Sequence, residues 1–164
     1  MPVVFPAGAV FDTAIQIERN GLCFYKKAAE SVAQTALRRR LLALARAEGE
    51  HMETFMKLKD MLLGSQRKAV QFDPDGKAAA YLRAFAEGGV FNMSTDATQA
   101  LSAESSMKDI LSFAIERERD SILFYVGIRE AIPKLHRRGR EKIQAIMYEE
   151  MAHLALLDME LRKL

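Results

Sequence analysis

Two short segments of this chain pair a glutamate with a histidine at helical spacing. Glu48 precedes His51 by three residues, and Glu150 precedes His153 by the same number. Residues three apart on a helix share one face, with their Cβ atoms about 5–6 Å apart. A carboxylate oxygen and an imidazole nitrogen placed in this way can bind one metal ion. Two of the three histidines in the chain therefore belong to candidate metal-binding pairs.

A second repeated segment precedes each of these pairs by about one helical hairpin. Residues 14–25 align with residues 114–125, and the two segments share Ala, Ile, Glu, Arg, Phe and Tyr at equivalent positions. The shared glutamates are Glu18 and Glu118. The chain therefore reads as Glu, Glu-x-x-His, Glu, Glu-x-x-His, which is an internal duplication. This is the ligand pattern that a carboxylate-bridged two-metal site in a four-helix bundle requires.

The chemistry follows from bringing four carboxylates and two imidazoles together in a bundle core. The predicted ligands are Glu18, Glu48, His51, Glu118, Glu150 and His153. Such a cluster destabilises a fold unless cations fill it, and two divalent ions neutralise the four charges. Oxygen and imidazole donors suit iron, manganese or zinc, and the absence of thiolates argues against copper(I) or an iron–sulfur cluster. We expect iron, with zinc or manganese left open.

Four long helices must position these ligands. Apolar residues recur every three or four positions on the stripes that carry the ligands, and the long periodic segments lack proline. A carboxylate within such a stripe is anomalous, because burying it unpaired costs several kcal/mol. The alternative, a half-exposed glutamate paired with an arginine, loses weight because the pattern occurs twice. The predicted helices run from about Val10 to Ser31, Ala36 to Leu63, Ala103 to Ile132, and His136 to the C-terminus.

The connection between the second and third helices is long enough to cross the whole bundle. It runs from Leu63 to Met107 and carries a candidate short helix from Lys77 to Glu87. A crossover of this length can make the second and third helices parallel, and the predicted arrangement is a bundle with one long connection. The predicted fold class is all-α, a four-helix bundle with one long crossover, forming a single domain over residues 1–164.

The composition limits the partners and the compartment. The formal charge is +2, and the short arginine clusters at residues 38–40 and 137–138 are interpreted as solvated surface rather than a nucleic-acid site. The first ten residues do not resemble a signal peptide, and no apolar run approaches the length of a membrane span. The one cysteine, Cys23, fits a reducing compartment, and we expect it to be buried and inert. These features predict a soluble, cytoplasmic protein.

Several acidic and basic residues fall off the ligand-bearing stripes. On the third predicted helix, Glu116 lies on nearly the opposite side of the helix axis from the inward-facing Glu118. On the fourth, Glu149 lies one residue before the inward-facing Glu150. We therefore expect the side chains of Glu116 and Glu149 to be solvated. The same holds for the second-helix residues Glu50 and Glu53. His136 has no partner at metal spacing and is expected at the surface. Glu87, in the crossover, is the one other candidate ligand.

With these motifs in place, the chain resembles the ferritin-like superfamily, and within it the rubrerythrin family, over nearly its whole length. The resemblance implies that Glu18 and Glu118 are terminal ligands, one for each metal. It implies that Glu48 and Glu150 bridge the two metal ions. It also implies that His51 and His153 each complete the coordination of one ion. Tyr25 and Tyr125 lie two turns after the terminal glutamates on the same face. Each is either a hydrogen-bond donor to a ligand carboxylate or an ordinary core tyrosine.

Two departures from the rubrerythrin pattern affect the expected activity. One cysteine rules out the four-cysteine iron site of full-length rubrerythrins, so any turnover needs an external electron donor. Rubrerythrins also carry an extra glutamate three residues after the third-helix ligand, where this chain has Ser121; the first-helix counterpart is Gly21. The candidate site therefore resembles the symmetric site of bacterioferritin more closely.

The expected function is a diiron oxidoreductase that reacts Fe(II) with hydrogen peroxide or dioxygen. One alternative is ferroxidase-type iron binding outside a storage cage. Another is a bundle stabilised by a redox-inert metal that acts as a sensor or interaction module. The resemblance also implies a homodimer.

Overall fold

The computed structural model describes residues 7–65, 77, 80–82, 84, 101–102, 104–131 and 137–164. Within these ranges the regular secondary structure is entirely helical, which confirms the predicted all-α class. The four long helices are α1 (Ala7–Ser31), α2 (Thr35–Ser65), α3 (Met107–Ala131) and α4 (Arg137–Leu161). None of the helices in the described part of the chain is long and apolar enough to cross a membrane.

Local hydrogen bonds explain where the helices begin and end. At the α1–α2 connection, Arg38 donates its Nε–H to the carbonyl oxygens of Ala29 and Val32, at 3.1 and 3.2 Å. This contact satisfies carbonyl groups that a helix end leaves without a partner. Arg38 is exposed, as predicted for this arginine cluster, and it also has a structural function, because it caps the end of α1.

The predicted start of the third helix at Ala103 was wrong, because Ser106 caps it. The Asp109 backbone N–H donates to Ser106 Oγ at 3.1 Å, and the Ser106 backbone N–H donates to Asp109 Oδ2 at 2.9 Å. These reciprocal bonds form a capping box, with aspartate in the place of the usual glutamate. The helix therefore begins at Met107.

Contacts between the helices give their relative directions. Asp12 on α1 pairs with Lys59 on α2 at 2.5 Å, so these two helices are antiparallel. Tyr25 on α1 bonds to Glu118 on α3, whereas Tyr125 bonds to Glu18, so α1 and α3 are also antiparallel. Helices α2 and α3 consequently run parallel, which is the arrangement that a long crossover would connect.

The crossover itself lies largely outside the described residues. Residues 77, 80–82 and 84 are helical, which is part of the segment predicted as a short helix. Leu82 is buried, and the Tyr81 hydroxyl donates to the Leu123 carbonyl of α3 at 2.9 Å. Gly127 makes room for this contact, because a Cβ atom there would lie 2.6 Å from the Tyr81 ring. The course of the remaining crossover stays a prediction.

Two apolar clusters fill the space between the helices. One lies around the start of α1 and the end of α2 and includes Phe11, Phe55, Tyr125 and Ile143. The other lies around the end of α1 and the start of α2 and includes Phe24, Leu41, Leu111 and Leu157. Burying one such side chain contributes about 1.5–3 kcal/mol. The predicted metal ligands fall between the two clusters along the helices.

The final turn of α4 departs from the predicted inward stripe. The three- and four-residue spacing from His153 through Leu157 and Leu161 predicts that Leu164 faces inward. Instead, Glu160 is buried at 6% exposure, whereas Leu164 is 68% exposed. The Glu160 carboxylate is paired with Arg40 of α2 and with Lys163, the latter at 2.7 Å. This paired carboxylate ties the end of α4 to the start of α2. Leu164 projects outward because α4 ends at Leu161.

Candidate metal centre

The six predicted ligands come together in a layer between the two apolar clusters, and each of the four helices contributes. Helix α1 supplies Glu18, α3 supplies Glu118, and α2 and α4 each supply a Glu-x-x-His pair. The four carboxylates are 0–5% exposed. His51 is 3% exposed, and the His153 side chain is 13% exposed. Because the fold withdraws all six from bulk water, they form one buried polar layer.

The ligands divide into two groups that share two members. Glu18 and His51 belong to one group, Glu118 and His153 belong to the other, and Glu48 and Glu150 belong to both. Within each group, one ligand atom from every side chain lies within 4.8 Å of the others. Each group could therefore hold a metal ion.

Both histidines direct Nδ1 toward the carboxylates. His51 Nδ1 lies 2.8 Å from Glu150 Oε1, and His153 Nδ1 lies 3.1 Å from Glu150 Oε2. The two oxygens of Glu150 thus face different histidines. The imidazole rings are 5.9 Å apart with an angle of 23° between their planes. Because each histidine follows a glutamate by three residues, its ring lies on the same helix face as that carboxylate.

Buried atoms without hydrogen bonds show that these residues fit a metal ion. Among the described residues, the site contains four buried side-chain atoms with no hydrogen-bond partner. They are Glu18 Oε2, Glu48 Oε1, His51 Nδ1 and Glu150 Oε1. Two of these atoms, His51 Nδ1 and Glu150 Oε1, lie 2.8 Å apart as an ion pair that does not have the geometry of a hydrogen bond. Leaving such an atom unsatisfied costs about 1–3 kcal/mol, and more when the group is charged. Metal coordination would satisfy all four, and their oxygen and nitrogen chemistry suits a divalent cation.

The two tyrosines bond across the bundle rather than to the glutamates on their own helices. Tyr25 of α1 donates its hydroxyl to Glu118 Oε1, and Tyr125 of α3 donates to Glu18 Oε1. Burial, followed by the charge of the accepting carboxylate, raises the pKa of both hydroxyls well above the usual value. They therefore stay protonated as donors. The predicted alternative of an uninvolved core tyrosine does not describe this geometry.

Glu149 is a site contact that sequence reasoning missed. Its side chain is 57% exposed, as expected for a residue off the inward stripe, yet Oε2 lies 2.8 Å from His51 Nε2. A carboxylate on the outer nitrogen of a ligating histidine orients the ring and fixes its tautomer. The equivalent position before the other pair is Ala47, which has no polar side chain. The two duplicated halves therefore differ: His51 has this carboxylate partner, whereas the corresponding position beside His153 is an alanine.

Gly21 makes room for a ligand carboxylate. A Cβ atom at residue 21 would lie 2.1 Å from Glu48 Oε2 and 2.9 Å from Glu48 Cδ. The site can hold Glu48 in this position because residue 21 has no side chain. Ser121, at the equivalent position of α3, turns its hydroxyl back to donate to the Arg117 carbonyl at 3.0 Å.

Burial and mutual repulsion control protonation in the metal-free layer. Burial, followed by neighbouring carboxylates, raises the pKa of Glu48 and Glu118 well above the usual value. Glu18 shifts in the same direction for the same two reasons. Burial also acts to raise the pKa of Glu150, but contacts with Glu118 and both histidines outweigh it and lower that pKa. In the absence of metal, carboxyl groups of the layer therefore retain protons, and these protons reduce the negative charge that a bound cation would otherwise neutralise.

His51 holds one of those protons. Burial acts to lower the pKa of its imidazole, but the adjacent carboxylates of Glu150 and Glu18 raise that pKa to about 11. An imidazolium at this position partly compensates the carboxylates in the absence of metal. A metal ion at Nδ1 would have to displace that proton.

A cavity of about 200 Å³ lies against the outer side of His51. Its lining is mixed in charge and consists of Glu50, His51, Thr54, Lys142, Ala145, Ile146 and Glu149. His51 and its carboxylate partner Glu149 separate this cavity from the buried layer. The volume is sufficient for a few water-sized molecules, so a small solute can approach the site from this side.

The remaining predicted positions have mixed outcomes. Glu50, Glu53 and Glu116 are exposed as expected, which confirms the predicted phases of α2 and α3. The prediction that Cys23 is buried was wrong: it lies on the exposed face of α1, between the half-buried Leu22 and the buried Phe24. Glu87 and His136 lie outside the described residues.

Comparison with protein families, with curated proteins and with solved structures gave no match.

We expect Gly21→Ala to displace the Glu48 carboxylate and lower the metal content. Overpacking of this kind costs about 1–3 kcal/mol, and the atom that must move is a predicted ligand. Gly64→Ala is the matched control, since a Cβ atom there has no neighbour within 4 Å. Elemental analysis and denaturant unfolding of both variants check this, and equal metal content in the two would contradict it.

We expect Glu149→Ala to weaken metal binding about 10- to 100-fold, because the His51 ring loses the carboxylate that orients it. Glu149→Gln, which retains a hydrogen-bond acceptor, should lose less. Competition with a chelator of known affinity measures the change. Glu53→Ala, at an exposed glutamate of α2 that pairs with Lys57, is the control. A loss no larger than that of the control would show that Glu149 does not support His51.

We expect the metal-free protein to lose stability as the pH rises from 5 to 8. Glu18, Glu48 and Glu118 have raised pKa values, so above pH 4.5 the folded state retains protons that the unfolded state releases. Above pH 6.5, His51 adds to this difference. Each proton retained only in the folded state contributes a slope of about 1.4 kcal/mol per pH unit. Denaturant unfolding of chelator-treated protein tests this, and stability that rises with pH would contradict it.

Proposed function

We propose that this chain is a ferritin-like, rubrerythrin-type diiron-carboxylate oxidoreductase that reacts Fe(II) with hydrogen peroxide or dioxygen. The observation that carries the proposal is the pair of buried four-ligand groups that share Glu48 and Glu150. One Glu from each of two helices and a Glu-x-x-His pair from each of the other two is the ligand set of carboxylate two-metal proteins with this architecture. The proposal includes a four-helix bundle with one long crossover, which the helix directions support.

Two metal ions account for the ligand geometry better than one. Glu18 and His51 would hold the first ion, and Glu118 and His153 would hold the second. Glu48 and Glu150 would bridge the two ions. The contacts of Glu150 support this assignment, because its two oxygens face different histidines at 2.8 and 3.1 Å.

Iron is the metal we propose for this donor set; iron and manganese both have redox chemistry, and iron is the choice for a reaction with peroxide or dioxygen. Oxygen and imidazole ligands accept iron, manganese or zinc, and zinc has no redox chemistry. Bound iron would supply the electron transfers that reduce peroxide or dioxygen. Reduction of one hydrogen peroxide to two waters consumes two electrons and two protons. The chain has one cysteine and hence no four-cysteine iron site, so the electrons come from a donor outside this chain.

The protein would contribute orientation, exclusion of water and a limited approach. The hydroxyls of Tyr25 and Tyr125 hold the terminal carboxylates from across the bundle. The apolar clusters at either end of the layer keep bulk water away, which strengthens the electrostatic interactions inside. The cavity beside His51 is small, at about 200 Å³, so a small oxidant fits and a large substrate does not.

We extend the proposal to the surroundings of the protein. The one cysteine is free and exposed, which suits a reducing compartment, and we place the protein in the cytoplasm. The homodimer implied by the resemblance is also part of the proposal. We propose no nucleic-acid or membrane partner.

Metal analysis of protein loaded anaerobically with Fe(II) tests the proposed function. We expect two irons per chain and a near-ultraviolet absorption that develops when peroxide or air is added. Zinc that iron does not displace would support the alternative of a metal-stabilised sensor or interaction bundle. Iron oxidation without turnover in the presence of electron donors would support ferroxidase-type iron binding.

We expect Glu48→Ala and Glu150→Ala each to lose at least one metal ion per chain, because each removes a ligand shared by both groups. Glu116→Ala should retain the full metal content, since Glu116 is an exposed glutamate on the outer face of α3. Elemental analysis of all three variants under one loading protocol measures this. Two metals per chain in both shared-ligand variants would rule out bridging.

A further inference from the structure

A cavity of about 630 Å³ lies between the end of α3 and the first half of α4. The proposed metal function does not use this α3–α4 cleft. Apart from one alanine, every residue of its lining carries a polar or charged group; these residues are Arg129 and Glu130 of α3 and Arg140, Glu141, Gln144 and Tyr148 of α4. The volume falls within the roughly 300–1,000 Å³ of small-molecule sites. The lining groups therefore indicate which kind of small molecule fits.

The two arginines of the α3–α4 cleft are placed to bind an anion. Arg140 is half-buried and forms no hydrogen bond or ion pair with any residue in the described part of the chain. Arg129 is oriented by contacts with both helices: its Nε–H donates to Glu130 at 2.8 Å, and its Nη1 donates to Gln144 of α4. These contacts use two of the five N–H donors of a guanidinium group. An oriented guanidinium group binds phosphate or carboxylate oxygens with parallel hydrogen bonds.

Two glutamates in the same lining disfavour a bare anion as the ligand. Glu130 pairs with Arg129 at 2.8 Å, and Glu141 pairs with Arg137 at 2.9 Å. The side chains of Glu130 and Glu141 are 58% and 59% exposed, so their carboxylate oxygens can accept further hydrogen bonds. Carboxylates repel a phosphate group, but they accept hydrogen bonds from sugar hydroxyls, as acidic residues do in ribose-binding sites. The lining therefore favours a ligand that carries both an anionic group and hydroxyl groups.

Tyr148 adds an aromatic ring to the lining of the cleft. It is 64% exposed, so a planar group that stacks on it would cover aromatic surface that otherwise contacts water. Arg140 and Tyr148 are eight residues apart on α4, which is about 12 Å along the helix axis at 1.5 Å per residue. A ligand that contacts both must therefore be extended, with its anionic group at one end and its ring at the other.

We propose that the α3–α4 cleft binds a nucleoside monophosphate. The phosphate group binds to Arg129 and Arg140, one from each helix. The sugar hydroxyls donate to Glu130 and Glu141, and the base stacks on Tyr148. Each part of this ligand contacts groups that suit its chemistry, whereas inorganic phosphate or an unphosphorylated nucleoside would use only part of the cleft.

Calorimetric titration of the full chain tests the class of ligand. The probes are adenosine 5′-monophosphate, adenosine and inorganic phosphate, and adenosine 5′-monophosphate represents the class because stacking on an aromatic side chain tolerates every base. We expect adenosine 5′-monophosphate to bind at least about tenfold more tightly than either fragment, because only the whole molecule contacts both ends of the cleft. Binding no tighter than that of inorganic phosphate would overturn the proposal.

Substitutions at the two ends of the cleft test its location. Arg140→Gln should weaken the binding of adenosine 5′-monophosphate about 10- to 100-fold, because it removes a charged hydrogen-bond donor. Arg138→Gln is the matched control, since Arg138 is an exposed arginine of α4 outside the lining of the cleft. Tyr148→Ala should weaken binding about 5- to 100-fold, whereas Tyr148→Phe keeps the ring and should bind as the unsubstituted protein does.

Equal affinity of the Arg140→Gln and Arg138→Gln variants would overturn the assignment to this cleft, and so would undiminished binding by Tyr148→Ala. Circular dichroism verifies that the helices of each variant are intact, and we expect no change because Arg140 and Tyr148 lie outside the core. Neither residue belongs to the predicted ligand set, so the metal content of the variants should match that of the unsubstituted protein. A failure to bind the nucleotide therefore leaves the proposed metal site unaffected.

Discussion

Four carboxylates buried in one layer are the constraint on which the rest of this structure depends. Each loses its hydration on burial, and each repels the others through a medium that screens poorly. Without metal, the layer limits this cost by retaining protons, including one on His51. In the proposed metal-bound state, the same carboxylates would serve as ligands to divalent cations. The apolar clusters on either side must supply the stability that holds the layer together in both states.

Much of the surrounding detail serves to hold these carboxylates in place. The hydroxyl of Tyr25 on α1 bonds to Glu118 on α3, and the hydroxyl of Tyr125 on α3 bonds to Glu18 on α1, so the two helices are joined through the site itself. Gly21 leaves the space that the Glu48 carboxylate occupies. The glycine provides space for one buried carboxylate, and the tyrosine hydroxyls provide hydrogen-bond donors for two others.

The two halves of the layer are related by duplication but are not equivalent. His51 is buried, is held on its outer side by Glu149, and lies against a cavity. His153 is more exposed, and Ala47 occupies the position that would correspond to Glu149. A solute that reaches the layer therefore meets two chemically different sides.

The sequence by itself predicted the six side chains of the buried layer and the helices that carry them. Duplicated Glu and Glu-x-x-His elements on apolar stripes predict a buried polar layer, because the same periodicity that buries leucine also buries the glutamate three or four residues away. The outward phases of Glu50 and Glu116 followed from the same arithmetic.

Only the tertiary structure decided which atoms meet across helices. That Tyr25 bonds to Glu118 rather than to a group on its own helix depends on how α1 and α3 face each other. The contact of Glu149 with His51 and the closeness of Gly21 to Glu48 depend in the same way on helix packing. Periodicity gives the direction of a side chain around its own axis, whereas these contacts depend on the distance and rotation between axes.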